Sequence, residues 1–553
     1  MMNKRFNSRL SVVAGLIVLC MAFASTAALA CTSLAVSPGA TVNGEAVVTQ
    51  TADSGSTPYE IYYYPAQDYA PGTMMDVLNI PQITGGVRIR DVAFNPTGNQ
   101  IPQVAHTYGY FGGIFGMLNE KQVGFGESTT SGRRESRNTS GFFDITNLSY
   151  LAAERGATAR EAIQVMGDLA VKYGYKDGGE MLAVCDPFET WIFEICGPGP
   201  LWSQGDSEPG AYWVAQRVPE GHIAACANNA VINVIDFSDN RNFLFGPGMV
   251  QYATSVGWYN PASGQAFSWR NHMMNETKYW NCGRRVWRAF CLAAPSLAAT
   301  LDETNLPFSV PVDKKLTIED INEIQADHYE GTQYDMTQTL TAGPFNNPRR
   351  FPGTLRVDGT TYSWQRQINV INSEYTLTVT ARKWLPDVIG GVMWFGYSIP
   401  DSTCFVPLYA GMTSLSPAIS ENSGSHMEFR RDSLYWAMSS VTTYMNLKYS
   451  YMKVDVDAYR DKYYKSLLRT QSAIDNAALE LYNQSPALAR EFLTKFCNDN
   501  VETVRKAWWE LLDHLVWKYN MGFVTENNRV NSVSYPEAWL RKVVAAGDPD
   551  HYL

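Results

Sequence analysis

The sequence predicts an α+β fold, with strands and helices interspersed rather than alternating as regular β-α-β units. Two observations carry this. From residue 31 to about residue 410, short β-branched or aromatic runs bounded by Gly, Pro, Asn or Asp recur between a few helical stretches. Beyond a polar, Ser-rich stretch at 414–425, charged and apolar residues alternate at helical spacing.

Taken in order, residues 1–30 read as a signal peptide. Lys4, Arg5 and Arg9 form a basic start, residues 10–23 are largely apolar, and Ala28-Leu29-Ala30 is the small-residue pattern that a signal peptidase cuts. The strand readings that follow are 33–36, 46–50, 124–126, 181–185, 190–195, 211–215, 223–225 and 375–381. Helical spacing marks 150–156, 159–173 and 284–290, and Thr158 followed by Glu161 has the form of a capping box for the second of these. In the tail, helices are expected at 432–451, 456–482, 487–496 and 501–518. The expected organisation is a signal peptide at 1–30, a main α+β domain at 31–413 and a helical region at 426–553 packed on it.

Composition narrows the partners. The 553 residues carry a formal net charge of −10, and the leader contributes only cations, so the mature chain is more acidic still. A polyanionic partner is not expected, and no basic run suggests nucleic acid. Beyond the leader no apolar run is long enough to span a bilayer, so the product is expected to be exported, to the periplasm or the extracellular space. Cys185, Cys196, Cys226, Cys282, Cys291, Cys404 and Cys497 follow Cys31 without a C-x-x-C pair, and no H-E-x-x-H occurs. Neither a zinc site nor a disulfide scaffold is expected, although export permits a disulfide or two.

The most telling residue is Cys31. Cleavage after Ala30 leaves it with a free α-amine, so one residue carries a nucleophile and its own general base. A thiol titrates near ~8.5 and an α-amine near ~7.7–8.0, and a modest downward shift of either makes the pair reactive at neutral pH. Lipid modification of a cysteine behind a leader is the chemical alternative, and it would block both groups. A lipobox leucine belongs three places before the cysteine, where this chain has Ala28, with Leu29 one place late.

Other candidates follow from placement. Cys31-Thr32-Ser33-Leu34-Ala35-Val36, the turn residues Pro38-Gly39 and Gly44, and the run into Gln50-Thr51-Ala52-Asp53 read as strand, turn and return strand. That returns Asp53 to the Cys31 end, where a carboxylate can hold the α-amine and stabilise its protonated form; a turn or capping residue is the alternative. Asn119, in Met117-Leu118-Asn119-Glu120, and Asn228, after Ala225-Cys226-Ala227, are candidate amide donors to an oxyanion. One such donor contributes ~2.7–4 kcal/mol in a transition state. Each is otherwise a turn residue.

Together these blocks resemble the dipeptidase A family of N-terminal nucleophile cysteine peptidases, to which the secernins are related. Members begin their mature chains with Cys-Thr-Thr-like residues, and Cys31-Thr32-Ser33 is similar. Further matching blocks are Gln216-Arg217-Val218-Pro219, Tyr329-Glu330-Gly331-Thr332, Gly343-Pro344-Phe345, Pro386-Asp387-Val388-Ile389-Gly390-Gly391 and Val406-Pro407-Leu408-Tyr409. The resemblance implies an N-terminal nucleophile hydrolase fold, two stacked antiparallel sheets between helical layers. It also implies Cys31 as nucleophile, Asp53, Asn119 and Asn228 as supporting groups, and no metal or organic cofactor. One departure stands out: relatives commonly carry Arg three residues before the aspartate, where this chain has Gln50. A neutral amide cannot supply the cation that depresses a neighbouring pKa.

The function expected from these readings is a secreted dipeptidase acting through a thioester, with short peptides as substrate and a signal peptidase as the maturing partner. Two rivals accompany it. One is a linear-amide acylase of the same fold, of the penicillin V or bile-salt type. The other is an inactive, lipid-anchored binding protein.

Overall fold

A computed structural model describes residues 31–55, 60–275, 279–351 and 354–547; the expected signal peptide at 1–30 lies outside the described residues. The hairpin read at the start of the mature chain sits at the centre of the fold. Ser33–Val36 pairs antiparallel with Ala46–Asp53, with Ala35 opposite Val48. Thr49 and Thr51 accept hydrogen bonds from the N–H groups of Leu34 and Thr32 at 3.1 Å each. Every residue of both strands is buried, as expected for strands covered on both faces.

Two antiparallel sheets stack on one another. The first, of seven strands, runs Ser309–Pro311, His222–Cys226, Ser33–Val36, Ala46–Asp53, Ser373–Ala381, Val392–Tyr397, Val406–Tyr409. The second, of eight strands, runs Phe243–Phe245, Tyr212–Arg217, Thr190–Cys196, Gly179–Cys185, Gly124–Glu127, Gly116–Asn119, Tyr110–Gly112, Tyr62–Tyr64. Gly124–Glu127 lies against Ala46–Asp53 of the first sheet. A Cβ at Gly126 would overlap the carbonyl of Thr49, so glycine is what allows the two sheets this close an approach. Helices Ile145–Arg155 and Ala159–Tyr173 cover the second sheet, while Arg284–Ala293, Leu434–Met445 and Pro486–Lys518 cover the first. The expected α+β class of stacked antiparallel sheets between helices is the one observed.

The strands read from sequence are present, with ends shifted by up to three residues. Val392–Tyr397 and Val406–Tyr409 are additional; buried at every position, they lack the polar alternation that marks a strand. Thr158 caps its helix by accepting from the Glu161 N–H, but Glu161 reaches back to the N–H of Ala157 instead of Thr158, so half of the expected capping box forms. In the tail, the readings 487–496 and 501–518 are one helix, Pro486–Lys518. Polar Asn498-Asp499-Asn500 lies between the two readings, yet Leu493, Cys497, Val501 and Val504 continue one buried stripe across it. The expected 432–451 helix is instead Leu434–Met445, followed after a break by Tyr449–Gln484, which also absorbs 456–482. The Ser-rich stretch 414–425 is not a loose tether: Ala418 and Ile419 are buried and the Ile419 carbonyl accepts from the Ile61 N–H.

A buried ion pair lies where the tail helix Tyr449–Gln484 meets the rest of the chain. Asp401 accepts from Arg349 at 3.1 and 3.3 Å and from the Tyr449 hydroxyl at 2.8 Å; both charged side chains are buried. Burial disfavours the Asp401 carboxylate, but the guanidinium of Arg349, then His328 and Lys453, outweigh it and hold its pKa below the ordinary range. Its contribution to stability is therefore complete above the unfolded value near ~4 and is lost as pH falls from there toward the folded value. Arg349→Met is expected to lower unfolding free energy by about 3–5 kcal/mol, because it strands a buried charge. It should also flatten the acid limb of a stability–pH curve, read by urea denaturation between about pH 5 and 2. An unchanged acid limb would assign that limb to other carboxylates.

Candidate active site

Cys31 immediately precedes the central hairpin and is fully buried in the chain as described. Three distant segments converge on it. The hairpin brings Asp53 to the same end, as expected, since Thr32 bridges Thr51 and the Thr51 N–H donates to the Thr32 carbonyl at 2.9 Å. The backbone of Asp53 meets the Cys31 sulfur. Strand Gly124–Glu127 delivers Glu127, whose carboxyl is hydrogen-bonded to the thiol, and Ser128, whose hydroxyl donates to the Cys31 carbonyl at 3.2 Å. Strand His222–Cys226 pairs Cys226 with Ser33, so Asn228, two residues on, arrives beside Cys31.

Asn228 has φ 61°, a left-handed conformation that Asn tolerates better than most residues. Its backbone N–H donates to the Ser128 hydroxyl at 2.9 Å. Its amide nitrogen donates to the Thr129 carbonyl at 2.8 Å, which leaves a second N–H on the same nitrogen. Arg285, buried in helix Arg284–Ala293, joins the parts. It donates to the Cys31 carbonyl at 2.9 Å, the Thr32 hydroxyl at 2.8 Å, the Ala227 carbonyl at 3.0 Å and the Asn228 amide oxygen at 2.8 Å.

Asp53 is fully buried and accepts from Arg366 at 2.6 Å and from the Ser373 hydroxyl. Burial raises its pKa; Arg366 and Ser373 oppose the rise without cancelling it. Gln50 does not face Asp53. Its amide nitrogen donates to Glu127 at 3.1 Å and its oxygen accepts from the Tyr375 hydroxyl at 3.2 Å. The cation beside Asp53 is thus Arg366, from a separate part of the chain. The Cys31 thiol is held well above its ordinary range, first by burial and then by the negative charges of Glu127 and Asp53.

Asn119 does not join this cluster, and the expectation for it is corrected. It lies at the turn between Gly116–Asn119 and Gly124–Glu127, whereas the groups around Cys31 come from the far end of the latter strand. Its amide nitrogen donates to the carbonyls of Ala153 and Gly156 at 2.9 and 2.7 Å, and its oxygen accepts from the N–H groups of Lys121 and Val123. With both amide hydrogens committed, it is the turn residue that was the alternative reading. Glu127, Ser128, Arg285 and Arg366 were not singled out from sequence. Glu127-Ser128 directly follows a strand that was read, which is the one local signal available for them.

Comparison with known proteins matches the profile described as Peptidase family C69 to residues 30–462. A "Probable dipeptidase" of Latilactobacillus sakei is 27% identical over 366 residues, covering 65% of this chain and 68% of that protein. A "Probable dipeptidase" of Salmonella dublin is 27% identical over 267 residues, 47% of this chain and 53% of the relative. "Dipeptidase A" of Lactobacillus helveticus is 23% identical over 280 residues, 50% and 51% respectively. The chain thus spans about two thirds of the first relative and about half the length of the other two. The resemblance read from the sequence blocks is found over most of the chain.

Proposed function

The chain belongs to peptidase family C69, and from that premise we propose that it is an exported dipeptidase whose nucleophile is the thiol of Cys31, freed as a chain terminus by cleavage after Ala30. The observation that carries this reading is the convergence of Asp53, Glu127-Ser128, Asn228 and Arg285 on one cysteine. The names of the relatives support the substrate class.

Burial and two carboxylates disfavour a resting thiolate at Cys31, so the proton has to leave as the sulfur attacks. The Cys31 α-amine takes it, directly or through a water, with Asp53 at the same end of the hairpin to steady the resulting ammonium. The sulfur bonds to the peptide carbonyl carbon, and the remaining amide N–H of Asn228, with backbone N–H groups, receives the oxyanion. The ammonium then protonates the departing amine, and water hydrolyses the thioester. No step requires a metal or an organic cofactor.

The linear-amide acylase of the same fold would use the same nucleophile. Assay of the mature protein on a dipeptide panel beside penicillin V and a conjugated bile acid separates the two. Release of free amino acids from dipeptides is expected, and selective turnover of the acyl amides would replace this reading. Intact mass of exported protein is expected to show a free Cys31 terminus; a diacylglyceryl adduct would instead support the anchored binding protein.

A further inference from the structure

We propose that a polar cavity at the start of strand Ala46–Asp53 is a binding site for a primary alkylammonium ion, held by Glu45 and remote from Cys31. It is independent of the reading of Cys31 as nucleophile. The cavity has a volume of about 380 Å³, within the ~300–1,000 Å³ range of small-molecule sites. Three parts of the chain wall it. Glu45 immediately precedes Ala46–Asp53, and because Ala46 pairs with Ala381, Arg382 is its neighbour across the strands. Helix Tyr449–Gln484 contributes Leu468, Gln471, Ser472 and Asp475, whose spacing is that of one helix face. Ile318, at the start of helix Ile318–Gln325, completes the wall.

Glu45 is the unexplained group. Its exposure is 3%, and its Oε2 has no hydrogen-bond partner among the described residues. Its Oε1 receives a long bond, 3.4 Å, from the Asn43 amide, and the other donor acting on the carboxyl is its own backbone N–H. Arg382 lies beside Glu45 but is committed elsewhere. Its guanidinium donates to Asp475 at 2.5 and 3.2 Å, to the Gly390 carbonyl at 2.9 Å and to the Ile389 carbonyl at 2.6 Å. Asp475, which also accepts from the Tyr409 hydroxyl at 2.8 Å, balances that charge. Glu45, Arg382 and Asp475 together therefore carry one excess negative charge when ionised. Burial raises the Glu45 pKa, and Arg382 opposes the rise without cancelling it. A buried carboxyl with a bare oxygen on the wall of a cavity calls for a positively charged donor from outside the chain.

The lining identifies the cation. Among the described residues no group of three His, Cys, Asp or Glu side chains gathers that could hold a metal ion, and the Arg382 guanidinium beside Glu45 opposes a divalent charge. A primary ammonium carries one charge and three N–H donors. Glu45 Oε2 can take one, and the side-chain oxygens of Gln471 and Ser472 line the same cavity. An alkyl stem suits the site better than a bare ion, because Ile318, Leu468 and Trp384 put apolar surface beside those oxygens. Trp384 is 47% exposed, so the cavity is reachable from solvent, and its indole offers a cation a π face. Asp53 ends the strand that starts beside Glu45. At ~3.3 Å per residue the two lie roughly 25 Å apart, so an amine bound here does not compete with a substrate at Cys31.

The test is calorimetric titration of n-butylamine into the mature protein at neutral pH in sodium phosphate, with n-butanol and potassium chloride as controls at matched concentration and ionic strength. Saturable binding of butylammonium is expected, with none of n-butanol or potassium. Glu45→Gln, which keeps the shape and removes the charge, is expected to weaken binding at least about tenfold. Ser472→Leu, at an exposed position of the tail helix, is expected to weaken it as well by filling the cavity from its rim. That second variant decides the matter should Glu45→Gln fail to fold, which thermal melting of each protein checks. Absence of saturable butylammonium binding would overturn the proposal and leave Glu45 a buried neutral acid. Equal binding of n-butanol or potassium would overturn it too, as would an affinity unchanged in folded Glu45→Gln or Ser472→Leu protein.

Discussion

Protein that keeps one uncleavable residue before Cys31 is expected to hydrolyse dipeptides at least about 10²–10⁴-fold more slowly than protein starting at Cys31. The added residue turns the α-amine into an amide, which has no basic lone pair to take the thiol proton. The rest of the site disfavours the thiolate: burial and the charges of Glu127 and Asp53 outweigh the one backbone hydrogen bond from Asp53 that favours it, and the Arg285 guanidinium bonds the Cys31 carbonyl. Cys31→Ala should be inactive in either form while keeping the fold. In the mature form, activity is expected to rise with pH through the lowest essential ionisation of the amine–thiol pair, whose apparent values belong to the pair. Rates of dipeptide hydrolysis on purified mature, blocked and Cys31→Ala forms check this. Near-equal activity of the blocked form would transfer the role of base to Glu127, the carboxyl that already touches the thiol.

What was legible in the sequence was whatever a single hairpin or one strand pairing encodes. Cys31 and Asp53 are brought together by a local turn, so the run from Cys31 to Asp53 was enough to place them. Asn228 was within reach of the same logic, because the strand before it pairs with the one after Cys31. Asn119 had the same appearance, an Asn at a strand turn, and only its hydrogen bonds to Ala153, Gly156, Lys121 and Val123 separate the two cases. Arg285 and Arg366 meet Cys31 and Asp53 across sequence separations of 254 and 313 residues. No local pattern marks such contacts, and Arg285 sits in a helix whose other buried positions are largely apolar. For the same reason the absence of Arg at position 50 was readable, but the presence of Arg366 beside Asp53 was not.

Arg285→Lys is expected to lower kcat by about 10²-fold or more, with a smaller change in KM, in protein that still folds. Besides the four acceptors around Cys31, its Nε donates to the Asn281 carbonyl at 2.8 Å, so one planar group fixes the backbone of Cys31, Ala227 and Asn281 together with the Asn228 amide. An ammonium offers three donors from one point and cannot reproduce the fork. Acceptors left bare in a buried site disfavour the native arrangement by ~1–3 kcal/mol each, and the cheapest relief is a shift of Cys31 against Asn228. Such a shift misaligns nucleophile and oxyanion donor, which act together only in the transition state, so kcat carries the loss. Steady-state kinetics on a dipeptide, with the rate of Cys31 alkylation by a small thiol reagent as a second readout, checks the expectation. A folded Arg285→Lys protein with unaltered kcat would make Arg285 a strut between strands, and the alignment of Cys31 with Asn228 would then have to come from Ser128, whose hydroxyl touches both.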